Sequence, residues 1–389
     1  MTPDTPANPT RTPPTEALHF AARNLLHDCV DLTAGQSLLI VGEAGAGRWY
    51  DPAVAERLAD EARTMAASAT IIMTPITGSA EDFPADVTAA MQTADHTVFL
   101  SRLGDQIRFC PLPGPGSKTV SYTMNLDYLA GFGRIPHGLM QAVHDRLVDL
   151  LATARHVRIT CPDGSDLSGP LPESGLESVP ENKPADAIAK NTQRLTPFTV
   201  GNFPVCIPPP LSSAFMSGTM ALTRWLTSSS TIAYDDSQYL LDQPLAARIE
   251  QGRIAGFDGP TDACRKLTAH FERVGRIVDG DPWRVDSWHT GINPSIFGTE
   301  PPLDDLERWG TITFGSPRFT HFHLCGSDPG HIASMLIDAT ITIDGEDLWR
   351  DGRFTFLDRL DMQALKSEWS QHAPAGDGDL FAERRDIGV

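Results

Sequence analysis

The sequence predicts an α/β protein that combines an N-terminal parallel-sheet domain with flanking helices and a C-terminal β-rich domain of the α+β type. Strand-like and helix-like segments alternate through the first half of the chain, which is typical of a parallel sheet covered by helices. From residue 198 onward, short strands and tight turns dominate instead. Glycine, proline and serine cluster between these two parts, over residues 162–184, and indicate loops.

The elements of the first half follow from local signals. The run SLLIV at residues 37–41 predicts a strand, and residues 52–67 predict a helix with Asp51 as its N-cap and Pro52 at its first position. Residues 137–155 predict an amphipathic helix, because apolar residues recur along one stripe. The remaining predictions are strands at 69–73, 97–101, 119–122 and 156–160, and a helix at 86–93.

Turn signals organise the second half. Residues 248–256 predict two strand pieces around a glycine turn, and residues 339–356 predict a meander with two Asp-Gly turns. One helix is predicted at 261–274. We therefore expect a disordered leader over residues 1–15, an α/β domain over 16–185 and a β-rich domain over 186–389.

Composition and charge exclude several classes of protein. The formal net charge of the 389 residues is -19, and such a surface repels phosphate backbones, so we expect no nucleic-acid partner. No apolar run approaches the ~20 residues needed to cross a bilayer. The first 14 residues lack the apolar segment of a secretory signal, so we expect a cytoplasmic protein without a membrane partner. The six cysteines form no C-x-x-C pair, which predicts reduced thiols and disfavours a cysteine zinc site.

A glycine-rich turn, G-x-x-G-x-G at residues 42–47, follows the first predicted strand. Such a turn can hold a phosphate, but the order differs from G-x-G-x-x-G and no Walker lysine follows. A flexible strand-to-helix turn is therefore the favoured interpretation.

Four histidines in a short span of the second half are the best candidates for chemistry: His289, His321, His323 and His331. Neutral imidazole is the commonest metal ligand near neutral pH. His321 and His323 are two residues apart in an apolar segment, so on a strand both rings point either into one pocket or out to solvent. Taken alone, each histidine could also be an ordinary polar residue of a loop.

An ordered series of short motifs resembles the 2,5-dihydroxypyridine 5,6-dioxygenases, which are themselves similar to the thermophilic-type metallo-aminopeptidases (aminopeptidases T and S). The resemblance runs from about residue 94 to residue 356. Its marks are Gly164-Ser165-Asp166, Asn202-Phe203-Pro204, Gly218-Thr219, the segment 248–254, His289 to Pro294, Gly310-Thr311, and His331 followed by the Asp-Gly pairs at 344 and 351.

The resemblance implies an iron site held by two histidines and one aspartate. Carried over residue by residue, His289 and His331 match the two histidines, but Ala333 stands where the H-x-D motif has its aspartate. In the aminopeptidases the position of His289 is a glutamate of a two-metal site, so its absence disfavours a peptidase.

The third ligand remains open among His323, His321 and Asp328. Our expected metal-binding set is His289, His331 and His323, with Fe(II) as the ion and zinc or another divalent metal as the alternative. The expected catalytic residues are His321, His323 and Asp328, since a histidine that is not a ligand could move a substrate proton. Asp286 is a further carboxylate that could orient an imidazole.

The resemblance implies a non-haem Fe(II) oxygenase, similar to ring-cleaving dioxygenases, that acts on a small hydroxylated aromatic or heteroaromatic substrate with O2. A metal-dependent hydrolase, with Asp328 or Glu300 as its base, is the first alternative. A member of the family that only binds a ligand is the second. The resemblance also implies a homodimer.

Overall fold

The computed structural model describes residues 13–76, 83–107, 112–171, 200–229, 234–327, 330–372 and 379–389. Within these ranges no helix combines the length and the apolar composition that a membrane span requires. The predicted leader lies mostly outside them. The predicted domain boundary at residues 185 and 186 also falls outside them and stays a prediction.

A five-stranded parallel sheet forms the first layer of the fold. Its strands are β1 (Ser37–Ala44), β2 (Ser68–Pro75), β3 (His96–Leu100), β4 (Ser117–Ser121) and β7 (Gly201–Phe203). The strand order is β2-β1-β3-β4-β7, and every neighbouring pair is parallel. The predicted parallel sheet is thereby confirmed.

Helices cover this sheet, and apolar side chains from both layers fill two clusters between them. Asp51 caps the second helix as predicted, because its Oδ1 accepts a hydrogen bond from the backbone N of Ala53 at 3.0 Å. The helices are α1 (Thr15–Arg23), a π-helical turn (Asn24–Cys29), α2 (Pro52–Thr64), α3 (Ala85–Met91), α4 (Arg102–Gln106), α5 (Leu126–Phe132) and α6 (His137–Leu151).

The strand order of the parallel sheet reverses between β1 and β3, and α/β proteins often bind ligands at such a point. In this protein, side chains occupy that position. The buried carboxylate of Glu43 accepts hydrogen bonds from Nε of Arg102 at 2.9 Å and from the backbone N of Trp49 at 2.5 Å. The Arg102 guanidinium lies 4.4 Å from the centre of the Trp49 ring. These contacts favour a strand-to-helix turn at residues 42–47 over a phosphate site.

A seven-stranded antiparallel sheet forms the second layer. Its strands are β5 (His156–Thr160), β6 (Asp166–Pro170), β9 (Ser217–Leu222), β12 (Leu245–Glu250), β13 (Arg253–Asp258), β17 (Thr340–Ile343) and β18 (Glu346–Trp349), in the order β13-β12-β9-β6-β5-β17-β18. The predicted Asp-Gly turns are present, and Asp344, Gly345, Asp351 and Gly352 all have positive φ.

The strand at 156–160 is present, but the expectation that it extends the parallel sheet is wrong. It pairs antiparallel with β6 on one side and with β17 on the other. The reason lies in the short turn after Cys161, which folds the chain back as a hairpin instead of sending it through a crossover helix.

A six-stranded antiparallel sheet carries the histidines. Its strands are β8 (Leu211–Ser212), β10 (Trp225–Ser228), β11 (Tyr239–Leu240), β14 (Val285–Thr290), β15 (Phe319–Leu324) and β16 (Ile332–Ile337), in the order β11-β10-β16-β15-β14-β8. The remaining helices are α7 (Thr261–Ile277), α8 (Leu306–Thr313), α9 (Leu360–Trp369) and three 3-10 turns at Pro302–Asp304, Thr355–Asp358 and Ser370–His372. Helix α7 confirms the predicted helix at 261–274.

The two faces of this six-stranded sheet differ in character. One face presents Trp288, Phe322 and Leu336 to the largest apolar core of the protein. The opposite face presents the histidines, and a smaller apolar cluster that includes Trp225 and Phe319 packs beside them. The α/β fold class, with a parallel-sheet part and a β-rich part, is thus confirmed.

Candidate metal centre

His289, His321 and His323 converge on one face of the six-stranded sheet. His289 lies on β14 directly opposite His321 on β15, and His323 follows two residues later on the same strand. The ring centres are 4.8 Å apart for His289 and His321, and 4.9 Å apart for each pair that includes His323. One nitrogen from each ring can be chosen so that all three lie within 4.8 Å of one another.

Strand periodicity explains this convergence. Successive side chains of a strand point to opposite faces, so His321 and His323 share a face while Phe322 points into the main core. Directly opposite residues of antiparallel strands also share a face, which brings His289 beside them. The three rings therefore lie together on one face, with His323 buried and the other two partly exposed.

Burial of the three rings is graded. His323 is only 5% exposed, whereas His289 and His321 are partly exposed. The site therefore has a buried end at His323 and a reachable end at the other two rings. Such an arrangement can hold an ion away from bulk water while a small molecule approaches it.

The loop before β8 orients His289. The His289 Nδ1 atom lies 3.2 Å from the carbonyl oxygen of Pro208. Because that oxygen can only accept, we assign the ring proton to Nδ1, and the lone pair then resides on Nε2. Hydrogen bonding of this kind fixes the tautomer and the ring orientation of metal-binding histidines.

Buried hydrogen bonds in turn hold the Pro208 loop. The Asn293 side chain donates to the Val205 carbonyl at 2.8 Å, and the backbone N of Ile292 donates to the Cys206 carbonyl at 2.9 Å. The acceptor of the His289 proton is therefore tied to the segment that follows His289 itself. This connection could not be recognised from the sequence, because the two segments lie more than eighty residues apart.

The close packing of this segment also requires a glycine. A Cβ at Gly291 would lie 2.1 Å from the carbonyl oxygen of Ser316, and backbone atoms cannot move aside as a flexible side chain would. The Trp349 indole donates to the Gly291 carbonyl at 2.9 Å from the buried core. The turn after His289 is thus fixed from both sides.

The donor set fits a divalent transition metal. Metal–imidazole bonds are about 2.0–2.1 Å long, so nitrogens on one tetrahedral ion lie about 3–3.5 Å apart. The three nitrogens lie within 4.8 Å of one another, so the rings have to move closer together to reach that spacing. Neutral imidazoles suit iron, zinc, copper and nickel better than they suit magnesium or calcium.

His331 lies outside this group. Its ring packs against the position of Gly326, and its backbone carbonyl accepts a hydrogen bond from the Tyr234 hydroxyl at 2.9 Å. Burial lowers the pKa of His331 below the usual histidine value. In the structure His321, and not the predicted His331, lies together with His289 and His323. The ligand role of His331 stays a prediction.

Three carboxylates were named from the sequence as candidate ligands or bases: Asp286, Asp328 and Glu300. Asp328 lies outside the described residues, so its expected catalytic role stays a prediction. The buried Asp286 carboxylate lies 2.8 Å from Nε of Arg284, and Glu300 forms an ion pair with Arg308 at 2.5 Å. Desolvation raises the pKa of Glu300.

Ala333, which stands where the resemblance implied an aspartate, lies on β16 directly opposite His323. A side chain at this position shares a face with the three histidines. The sequence could not show that position 333 neighbours His323, because the register of β15 and β16 depends on tertiary contacts.

Comparisons with known proteins agree with this architecture. No protein-family model matches the chain, and no curated protein matches it significantly. The solved structure of 2,5-dihydroxypyridine dioxygenase from Pseudomonas putida KT2440 is similar over 87% of this chain and 97% of that chain, with a TM-score of 0.52 and 17% sequence identity. The wild-type AmpT structure from Thermus thermophilus covers 87% of this chain and 98% of that chain, with a TM-score of 0.47 and 13% identity.

The similarity to the dioxygenase concerns the fold. The chain shares the α/β architecture of the dioxygenase, so the resemblance inferred from its motifs is confirmed at that level. At 17% identity, the chemistry of this chain has to be argued from its own site.

Proposed function

We propose that this chain is a mononuclear non-haem Fe(II) oxygenase, similar to ring-cleaving dioxygenases, that acts on a small hydroxylated aromatic or heteroaromatic compound with O2. The observation that carries the proposal is the convergence of His289, His321 and His323 on one sheet face. The fold shared with a 2,5-dihydroxypyridine dioxygenase also supports an oxygenase.

The residues of the chain have distinct tasks in this proposal. Bound iron would supply the redox chemistry with dioxygen. His289, His321 and His323 hold the ion, and the Pro208 carbonyl keeps Nε2 of His289 available by retaining the proton on Nδ1. Phe319, whose ring centre lies 5.6 Å from that of His321, keeps water from one side of the site.

A metal-dependent hydrolase is the second candidate function. The specific observation in its favour is the donor set itself, because three histidines also form catalytic zinc sites that leave a fourth position for water. Zinc lowers the pKa of such a water to about 7. The identity of the native metal therefore separates the two candidates.

The test is elemental analysis of untagged protein, purified without chelators, for the wild type and for single alanine variants of the three histidines. We expect about one iron per chain in the wild type and a large loss in each variant. His331→Ala is measured beside them: retention of the metal would support the set of His289, His321 and His323, and its loss would support the ligand role of His331 predicted from the sequence.

The same preparations are then supplied with hydroxylated rings, including 2,5-dihydroxypyridine, in an oxygen electrode. Oxygen uptake that needs iron and all three histidines supports the oxygenase. Stoichiometric zinc without oxygen uptake would favour the hydrolase. Protein that binds no metal after reconstitution would contradict both candidates and favour a ligand-binding member of the fold.

A further inference from the structure

A short segment in the last part of the chain, residues 384–388, is bound to the loop that follows β14. The backbone N of Arg384 donates a hydrogen bond to the Pro294 carbonyl at 2.8 Å. The backbone N of Gly298 donates to the Asp386 carbonyl at 2.9 Å. We call this segment the strap, and its backbone is thus fixed to the loop that begins directly after the first histidine strand.

The strap is also bound to the start of the second histidine strand. Arg318 directly precedes β15, and its Nη1 donates to the Arg385 carbonyl at 2.6 Å. The same guanidinium forms a two-point ion pair with Asp338, directly after β16, with N–O distances of 2.6 and 2.8 Å. Because a two-point ion pair has a defined geometry, Arg318 holds the strap at a fixed place beside β15.

Ile387 anchors the strap in the apolar cluster beside the histidines. Its side chain is fully buried in the cluster that contains Trp309 and Phe319, and its carbonyl accepts a hydrogen bond from the Trp309 indole at 2.6 Å. The Phe319 ring centre lies 5.4 Å from that of Trp309 and 5.6 Å from that of His321. The buried cluster thus reaches from the strap to the His321 ring.

The distance between the histidine rings gives these contacts a consequence for metal binding. The three ring nitrogens lie within 4.8 Å of one another, whereas nitrogens on one tetrahedral ion lie about 3–3.5 Å apart. Metal binding therefore draws the rings of His289 and His321 together. Because the strap joins the loop after β14 to the start of β15, it limits how these two rings can approach each other.

We propose that Ile387 is a positioning residue: the strap that it anchors holds the segments next to His289 and His321 in the arrangement that binds the metal. This inference rests on the metal site of the proposed function and adds a residue that does not itself contact the ion. Because coupling between two sites is reciprocal, bound metal stabilises the docked strap by the same factor by which the docked strap strengthens metal binding. A purely structural residue would show no such coupling.

The first measurement is the affinity for Co(II), obtained by competition with a chromogenic chelator, for the wild type, Ile387→Ala and Leu58→Ala. Leu58 is the matched control, because it is also fully buried but belongs to an apolar cluster of the parallel-sheet part. Ile387→Ala should weaken Co(II) binding by about fivefold or more, whereas Leu58→Ala should leave it unchanged. The visible bands of Co(II), which report its coordination geometry, should change in Ile387→Ala alone.

The second measurement is hydrogen exchange of the wild type, followed by mass spectrometry with and without Co(II). It compares peptides that contain Arg384 and Gly298 with a control peptide that contains Ser68, whose amide bonds to the Gln36 carbonyl in the parallel-sheet part. Co(II) should slow exchange in the first two peptides more than in the control. This measurement remains decisive if Ile387→Ala fails to fold.

The outcomes separate the strap from the metal site. The positioning role is overturned if the wild type binds Co(II) and folded Ile387→Ala binds it as tightly as Leu58→Ala does. It is also overturned if Co(II) slows exchange in the strap no more than in the peptide of Ser68, and in both cases the metal site stands. If the wild type binds no Co(II), the metal site itself is wrong, and the positioning role fails with it.

Discussion

Replacing Asn293 by alanine tests whether the buried loop network positions His289. The Asn293 side chain is completely buried; it donates to the Val205 carbonyl, and its Oδ1 accepts from the backbone N and the hydroxyl of Ser295. The Ser295 hydroxyl retains the Phe132 carbonyl as a partner at 3.2 Å. The substitution thus leaves the buried Ser295 N–H and the carbonyl of the partly buried Val205 without these hydrogen bonds.

A buried polar group that loses its partner costs about 1–3 kcal/mol, and a partly buried one costs less, so Asn293→Ala should lower the free energy of unfolding by about 3 kcal/mol. The loop that carries the Pro208 carbonyl loses one of its two hydrogen bonds to the segment after His289 at the same time. Loss of an outer hydrogen bond to a metal-binding histidine typically weakens metal affinity about 10–100-fold, and we expect an effect in that range.

Asn24→Ala is the matched control. Asn24 is also buried and makes three hydrogen bonds, two to the carbonyls of Gly133 and Ile135 and one from the backbone N of His137. It belongs to the helical layer on the parallel sheet. We expect a similar loss of stability with unchanged metal affinity.

Urea denaturation measures the stability of both variants, and competition with a chromogenic Co(II) chelator measures their metal affinity. The reasoning is refuted if Asn293→Ala weakens metal binding no more than Asn24→Ala does. It is also refuted if Asn293→Ala costs less than about 1 kcal/mol, because the buried groups would then have found new partners.

Three further predictions concern the supporting structure. Burial, together with nearby Arg273, lowers the pKa of His270 to about 4, so the unfolded chain binds more protons between pH 6.5 and 4. The free energy of unfolding should therefore fall as the pH drops through this range, by at most about 1.4 kcal/mol per unit, and His270→Phe should flatten this dependence in urea titrations at several pH values. Glu43→Gln should lower the free energy of unfolding by about 3 kcal/mol, because it leaves the Arg102 guanidinium without its buried anion. Thermal unfolding of this variant and of Arg102→Met will show whether the loss of stability comes from the unpaired charge. Ile387→Ala should lower the free energy of unfolding by about 2–4 kcal/mol, because the side chain is fully buried in the apolar cluster beside the histidines. Urea denaturation measures this loss, and an unchanged midpoint would contradict the burial.

Local patterns sufficed to predict most individual elements of this fold. The helix capped by Asp51, the Asp-Gly turns and the alternation of the first half depend on interactions within a few residues. The sheet to which 156–160 belongs could not be predicted in this way, because its partner β17 lies about 180 residues further along the chain.

At the histidine site, too, local patterns predicted which residues share a face but not which strands pair. The period of two on β15 predicted that His321 and His323 share a face, and the structure confirms it. The pairing of His289 with His321, and of His323 with Ala333, depends on the register of strands joined by long connections. Motif similarity predicted His331 as a ligand, which stays a prediction, whereas the strand register places His321 beside His289 and His323.

The strand connectivity has a consequence for how the chain folds. Strands β5 and β6 precede β7 in sequence, yet they belong to the antiparallel sheet, and β7 returns to complete the parallel sheet. During synthesis, the hairpin of β5 and β6 emerges long before β17 exists to cover its open edge. Contacts of such high sequence separation slow folding and leave edge strands exposed to aggregation in the meantime. The strands of the parallel sheet are complete at Phe203, whereas both antiparallel sheets, and with them the histidine site, require strands from β15 to β18 near the end of the chain.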